Sequence, residues 1–282
     1  MEEVIFLIVL ALVWVVFASV QDLRKREVAN WLSFSLIIFV LGFRFFYSLF
    51  SEVGFNFFYQ GLVGFGIFFA VGNLLYYGRM FAGGDAKLMI ALGPVLAFSE
   101  SFFINLKIFI LFLLLFLFAG GVYGLVSSFV LALRNFGKFS KEFCNQLDKN
   151  RKLVYTVLFL GLILTGFGFI EKTLFFVGIF VFVMPYLYLF AKSVDESCMI
   201  NSVRVRDLTE GDWLYENVKI GRKVIKAKWA GLDKKDISLI RKNKREILIK
   251  QGIPFVPVFL ISFLVLVYLW FSGKYEWVFG LF

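Results

Sequence analysis

The sequence predicts an all-α polytopic membrane protein of about 6–8 transmembrane helices, with a small α+β cytoplasmic module near the C-terminus. Three observations carry this expectation. Hydrophobic residues make up 60% of the 282, with 40 Phe and only 4 Pro, well above the roughly 45–50% apolar usage of soluble domains. Eight apolar stretches can be drawn, at about 3–20, 31–50, 58–78, 86–98, 105–133, 153–170, 173–191 and 254–272, and most approach the ~20 residues that cross ~30 Å of hydrocarbon. One polar stretch, 192–253, is long enough for a soluble module. The domain scheme that follows is a helical membrane domain at 1–191, a cytoplasmic module at 192–253, and a C-terminal transmembrane helix with a short tail at 254–282.

Taken in order, the first span begins at Glu2-Glu3, which replaces the basic segment of a secretory signal, and no small-residue cleavage site follows it, so no cleavable signal is expected. The fourth stretch is too short to span comfortably, and it is the one that opens with Asp85. Within the spans, small residues recur at packing intervals, Gly66 with Ala70, Gly120 with Gly124 and Gly61 with Gly64, which predicts close helix–helix approach. Asn73 is expected to donate a hydrogen bond between helices. Arg44, near the outer end of the second span, is expected to snorkel to the headgroups and is assigned no function. In the module, alternating runs at 202–206, 219–220 and 224–227 predict strands, and Glu210-Gly211-Asp212 and Gly221 predict turns. A helix is predicted from near Asp233 through Ile237, Leu239 and Ile240. Pro254 and Pro257 keep the last helix from starting earlier.

Orientation follows from Lys and Arg in alternating loops. The segments 21–30, 79–87, 134–152 and 192–253 hold 3, 2, 6 and 15 basic residues, 26 of the 30 in the chain. The positive-inside rule makes these segments cytoplasmic and puts both termini outside a multi-pass protein of the cell membrane. Asp22 and Asp85 then share one membrane face. The net charge of +10 is accounted for by loops beside anionic lipid headgroups, so the bilayer, not nucleic acid, is the partner it implies. Cys144 and Cys198 both fall in reducing cytoplasmic segments and imply no disulfide. With no histidine in the chain they make no zinc site, and no cofactor is implied.

The missing histidine also removes any HExxH metal centre, any Ser-His arrangement and any histidine base. What survives is carboxylate chemistry. An acid at the end of a membrane span is a functional-site candidate by default. Asp22 ends the first span in Gln21-Asp22-Leu23-Arg24-Lys25-Arg26, and Asp85 follows Ala82-Gly83-Gly84. Hydrolysis by a carboxyl pair needs one ionised group to take a proton from water and one protonated group to polarise a carbonyl. Two carboxyls sharing a low-dielectric site are driven to that split by mutual repulsion. Gly83 and Gly84 are expected to supply backbone angles closed to other residues and room for a substrate strand. A first-turn position favours ionisation of Asp85, although the sequence leaves the split between the two acids open. Lys87 is expected to point away from Asp85, toward headgroups. Each acid read singly is a helix-end residue or an N-cap; the pair, on one face of a His-free chain, reads as catalytic. The competing class is a proton- or cation-coupled transporter using the same two acids as carriers. A membrane scaffold with a lipid- or partner-binding module is a third.

The stretch Asp22-Leu23-Arg24-Lys25-Arg26-Glu27-Val28-Ala29-Asn30-Trp31, together with Ala82-Gly83-Gly84-Asp85-Ala86-Lys87, resembles the archaeal type IV prepilin and preflagellin (prearchaellin) peptidases. These belong to the intramembrane aspartyl proteases with a Gly-x-Gly-Asp motif, a class that includes presenilin. The resemblance covers about 1–135, and 192–272 looks like the extra C-terminal portion of some archaeal members. It implies Asp22 and Asp85 as the catalytic pair, with Gly83, Gly84, Arg26 and Asn30 as supporting motif residues. The family pattern near the first acid is D-x-[KR]-x-R-x-x-P-N. Ala82 stands where the first motif Gly is expected and Ala29 where the Pro is, and neither change removes a chemical group. The implied activity is cytoplasmic removal of a short basic leader from type IV pilin-like or archaellin precursors. The basic loops would repel such a leader, so Glu27 or the module at 192–253 is a candidate to compensate. Bacterial relatives that also N-methylate carry paired CxxC motifs between the first two spans. That loop here is about ten residues without Cys, so methylation is not implied.

Overall fold

In the computed structural model, residues 2–52, 54–221, 223–228 and 231–276 are described. In chain order the elements are α1 (Glu2–Lys25), α2 (Asn30–Phe50), α3 (Asn56–Tyr77), α4 (Gly83–Leu92), α5 (Phe102–Arg134), α6 (Phe136–Lys149), α7 (Arg151–Phe167) and α8 (Lys172–Ser197). There follow β1 (Ile200–Arg204), a 3-10 turn at Val205–Asp207, β2 (Trp213–Leu214), β3 (Val218–Ile220), β4 (Lys223–Ile225), α9 (Lys234–Asn243), β5 (Glu246–Lys250) and α10 (Val256–Phe271).

Among the described residues, five helices, α1, α2, α3, α5 and α8, are long and apolar enough to cross a membrane. A sixth span results if α6 and α7, bent by 78° at their junction, count as one. The stretch at 86–98 forms only the ten-residue α4, because Gly93-Pro94 ends it. The last apolar helix, α10, has 16 residues and starts at Val256 with Pro257 in its first turn, as the two prolines require. Residues 277–282 of the C-terminal tail lie outside the described residues.

The chain divides into two compact units, 1–124 with 253–282, and 125–252. In the first, α10 returns to pack along α1, and α4 packs against α2 and α3. One continuous core joins Leu7, Ala11 and Val15 of α1, Leu36 of α2, Phe68 of α3, Met89 and Leu92 of α4, Phe112 of α5, and Phe259 and Phe263 of α10. The spacing of small residues finds its use mainly between α3 and α4. A Cβ on Gly64 would overlap the carbonyl oxygen of Gly93, and one on Gly72 would lie 2.7 Å from Cγ1 of Ile90. Gly66 and Gly124 face open space, so those two positions of the predicted pattern make no close contact.

Arg44 departs from the expectation of snorkelling. It is 0% exposed, donates to the carbonyls of Phe57 (2.8 Å) and Ala97 (2.5 Å), and lies 4.2 Å over the Phe57 ring. The absent side chain of Gly61 leaves room for its stem. Buried charge needs such partners, and here backbone carbonyls at the start of α3 and beyond α4 supply them. Asn73 also differs from expectation, since its amide donates to Phe69 O within its own helix at 2.8 Å.

In the second unit, α7 and α8 form a close antiparallel hairpin, with Gly161 against the Phe182 backbone and Gly178 against Thr165. Phe139 of α6 meets Phe190 of α8 at 5.5 Å. The module holds an antiparallel sheet of order β1-β5-β2, a β3-β4 hairpin and α9, around Val205, Leu214, Ile225, Ile240 and Ile249. Asp233 caps α9 by accepting from Asp236 N, and Gly211 and Gly221 take positive φ at the turns the sequence marks. Helix α8 continues through Ser197, so the strands begin later than the composition change at 192.

The contact at Gly64 yields a paired expectation. Gly64→Ala lowers thermal stability in detergent, at a cost of about 1–3 kcal/mol for overpacking against the Gly93 backbone. Gly66→Ala, which meets nothing, leaves the melting temperature unchanged or raises it.

Candidate active site

The buried face of α1 runs through Leu7, Ile8, Ala11, Val15, Ala18 and Ser19, and Asp22 is the next residue on that stripe. Helical periodicity therefore turns this acid inward rather than to solvent, and it is 6% exposed. Its Oδ2 accepts from the backbone N–H of Val256 at 2.9 Å, and the N–H of Phe255 also donates to the carboxylate. These are the cap and first residues of α10, so Asp22 occupies a helix N-terminus, where unpaired N–H groups and the helix dipole favour an anion. Hydrogen bonds to charged groups contribute about 1.5–3 kcal/mol each, which offsets part of the cost of burying the acid.

Helix α1 ends one turn beyond Asp22. Arg26 turns into the left-handed region, φ +55°, while its N–H bonds back to the Asp22 carbonyl at 2.7 Å. That conformation costs an L-residue roughly 1–2 kcal/mol. The Arg26 charge acts on the Asp22 carboxylate.

Asp85 enters from the other side. Ala82 is extended, φ −68° and ψ 159°, and caps α4. Gly83, Gly84 and Asp85 are the first three helical residues. The Asp85 carboxylate reaches back to accept from the Ala82 N–H, the returning half of a capping box. The negative φ of Ala82 is compatible with a side chain where the motif has Gly. Gly83 and Gly84 are helical, contrary to the expectation of backbone angles closed to other residues. What Gly84 supplies is space, because a Cβ there would fall 3.3 Å from Cβ of Val28, whereas one on Gly83 meets nothing nearer than Tyr76 at 3.8 Å.

The two motifs are fastened together. Lys87 Nζ donates to Asn30 Oδ1 at 2.6 Å, a contact that replaces the expected headgroup role of Lys87. Ala29 N donates to Gln21 Oε1 at 3.3 Å. A ring cluster bridges the segments that hold the acids. Phe81, just before Ala82, lies 5.6 Å from Phe116 and 6.2 Å from Phe255, and Phe116 lies 5.6 Å from Phe255. The charge of Asp22 acts on Asp85, so the two carboxyls are within electrostatic reach. Of the residues singled out from sequence, Asp22, Asp85, Gly84, Arg26 and Asn30 gather here, with Gly83 in the same turn. Lys87 joins them through Asn30 rather than meeting headgroups, and Val28, Phe81, Phe116 and the Phe255–Val256 amides had been given no role. Only the paired prolines marked the α10 start, and nothing local connects it with a residue 234 positions earlier.

The fold is that of a polytopic membrane protein, and its candidate site is a pair of carboxyls, each bonded to the start of a helix. Residues 9–125 match the family model described as the type IV leader peptidase family. This segment contains both Asp22 and Asp85, so the part of the chain that is similar to the leader peptidases is the part that carries the two acids. No curated protein and no solved structure matches the chain.

The spacing at Gly84 separates the two glycines experimentally. Gly84→Val drives a branched side chain into Val28 and lowers peptidase activity by roughly tenfold or more, since small displacements near a reacting centre are costly. Gly83→Ala keeps activity within about twofold, as its site has room for a methyl group. Steady-state cleavage rates of the two purified variants check both.

Proposed function

We propose that this protein is an aspartic endopeptidase that removes the short basic leader from type IV pilin-like or archaellin precursors at the cytoplasmic face of the cell membrane. Asp22 and Asp85 form the catalytic pair, and Gly83, Gly84, Arg26 and Asn30 build the turn and loop that carry them. The observation that carries this reading is the electrostatic reach between two inward-facing acids inside the segment that matches the leader peptidases.

One carboxylate takes a proton from water as the water oxygen bonds to the scissile carbonyl carbon. The carbonyl electron pair moves to oxygen, which receives the proton held by the other carboxyl. Collapse of the tetrahedral species re-forms the carbonyl and breaks the C–N bond, a hydroxyl proton returning to the second carboxylate while the leaving amine takes a proton from the first acid. The apolar segment of a precursor can lie among the spans while its polar leader reaches the acids, after local unwinding exposes the scissile bond. The basic segments at 21–30, 79–87, 134–152 and 192–253 support a cytoplasmic site and outward termini. The functional division we propose is 1–191 for the membrane domain, 192–253 for the cytoplasmic module and 254–282 for the last helix and tail. The family match does not favour the transporter reading.

Detergent-solubilised protein mixed with a type IV pilin-like precursor is expected to shorten it by the leader, seen as a mobility shift. Asp22→Asn and Asp85→Asn each lower the rate by at least about 100-fold, and survival of activity in either variant refutes the assignment. A rate that falls on both acidic and alkaline sides of an optimum is expected of a pair that must be half-protonated; a flat profile argues against it.

A further inference from the structure

The geometry points to the start of α10 as a third component of the active centre: the backbone N–H groups of Phe255 and Val256 hold Asp22 as the ionised, water-activating member of the pair, and Asp85 carries the proton given to the carbonyl oxygen. This inference rests on the aspartic peptidase reading and deepens it by assigning the two roles and by adding positioning groups from outside residues 9–125.

The sequence Pro254-Phe255-Val256-Pro257 is suited to this task. Proline has no N–H, so of these four residues only Phe255 and Val256 can donate, and both donate to Asp22. The pair sits at the N-terminus of a 16-residue helix, whose dipole adds to the two hydrogen bonds in favouring the charged carboxylate. Asp85 has one backbone donor, at the start of a ten-residue helix. The donors are held in place. The Phe255 ring is packed between Phe81 and Phe116, and Gly120 makes room for it, since a Cβ there would lie 2.9 Å from Phe255 Cζ. Because Phe81 leads directly into Ala82 and Asp85, the same rings fix the donor pair relative to the second acid. The charged groups that act on Asp22 are Arg26, at the end of its own helix, and Asp85 of α4; the first three turns of α10 bring no titratable side chain.

The test is a change of one backbone atom in the full-length protein. Replacing Val256 by the matching α-hydroxy acid turns its amide into an ester, which removes the N–H and keeps the side chain. With a type IV pilin-like precursor as substrate, the expected result is a kcat roughly tenfold lower on the acidic side, KM unchanged, and the acidic limb of the rate–pH profile moved up by about one unit. The same ester at Val258 removes a bond internal to the helix, Val258 N to Phe255 O at 3.1 Å, and is expected to lower thermal stability without moving that limb. Pro257→Ala adds a backbone N–H beside the pair and is expected to move the limb the opposite way, a result that loss of folding cannot produce. An acidic limb unmoved in both the Val256 ester and Pro257→Ala overturns the inference while leaving the peptidase assignment intact. Movement of the alkaline limb instead overturns it by reversing the roles of the acids. Loss of the peptidase reading itself shows separately, as activity surviving in Asp22→Asn or Asp85→Asn.

Discussion

A carboxylate removed from water must find hydrogen-bond donors, and the way Asp22 meets that demand organises the first unit of this protein. The helical period of α1 turns Asp22 inward, at the end of a stripe that is otherwise apolar or small. Its backbone donors are two N–H groups that α10 cannot satisfy internally, and the Arg26 charge acts on it as well. One contact thus serves both partners, a buried acid and a helix start, and it joins residues 234 positions apart. The packing of α10 along α1 and the start of α10 between Pro254 and Pro257 bring those donors to that acid.

The second acid is positioned by steric rather than polar means. Helix α4 is too short to span, and it approaches α3 so closely that Gly64 and Gly93 meet backbone to backbone. That approach sets the height of α4 in the bundle, and so the depth of Asp85. Both ends of the segment are then fastened. At the acid end, Gly84 rests on Val28 and Lys87 reaches Asn30. At the far end, Arg44 holds the carbonyl of Ala97. A short helix anchored at both ends holds the Asp85 carboxyl in a defined place.

Several features were legible in the chain because they depend on local chemistry. Asp233 as the cap of α9, the turns at Gly211 and Gly221, the proline-set start of α10 and the first-turn location of Asp85 each require only a few neighbouring residues. Features that depend on which face meets which neighbour were not. Arg44 reads as a snorkelling residue by its place in the span, yet carbonyls from two other segments enclose it. Asn73 turns back on its own helix. Gly84 matters for the room it leaves to Val28, where the motif suggested unusual backbone angles. The short β2 escaped notice because two residues cannot show alternation, and β5 because Ile247-Leu248-Ile249 reads as a continuous apolar run, although only Ile247 and Ile249 are buried.

By itself, the sequence determined that this chain is a helical membrane protein, and it singled out the two acids, Asp22 and Asp85, on which the proposed chemistry rests. Hydropathy, charge and the absence of histidine are properties of residue identity, which no folding step alters. Only the tertiary structure decided that the two acids come within reach of each other, that the start of α10 supplies the donors for Asp22, and that Arg44 is an internal anchor. Those facts concern distances between segments far apart in the chain, and such distances arise from packing and from the need of buried polar groups for partners, not from any local pattern.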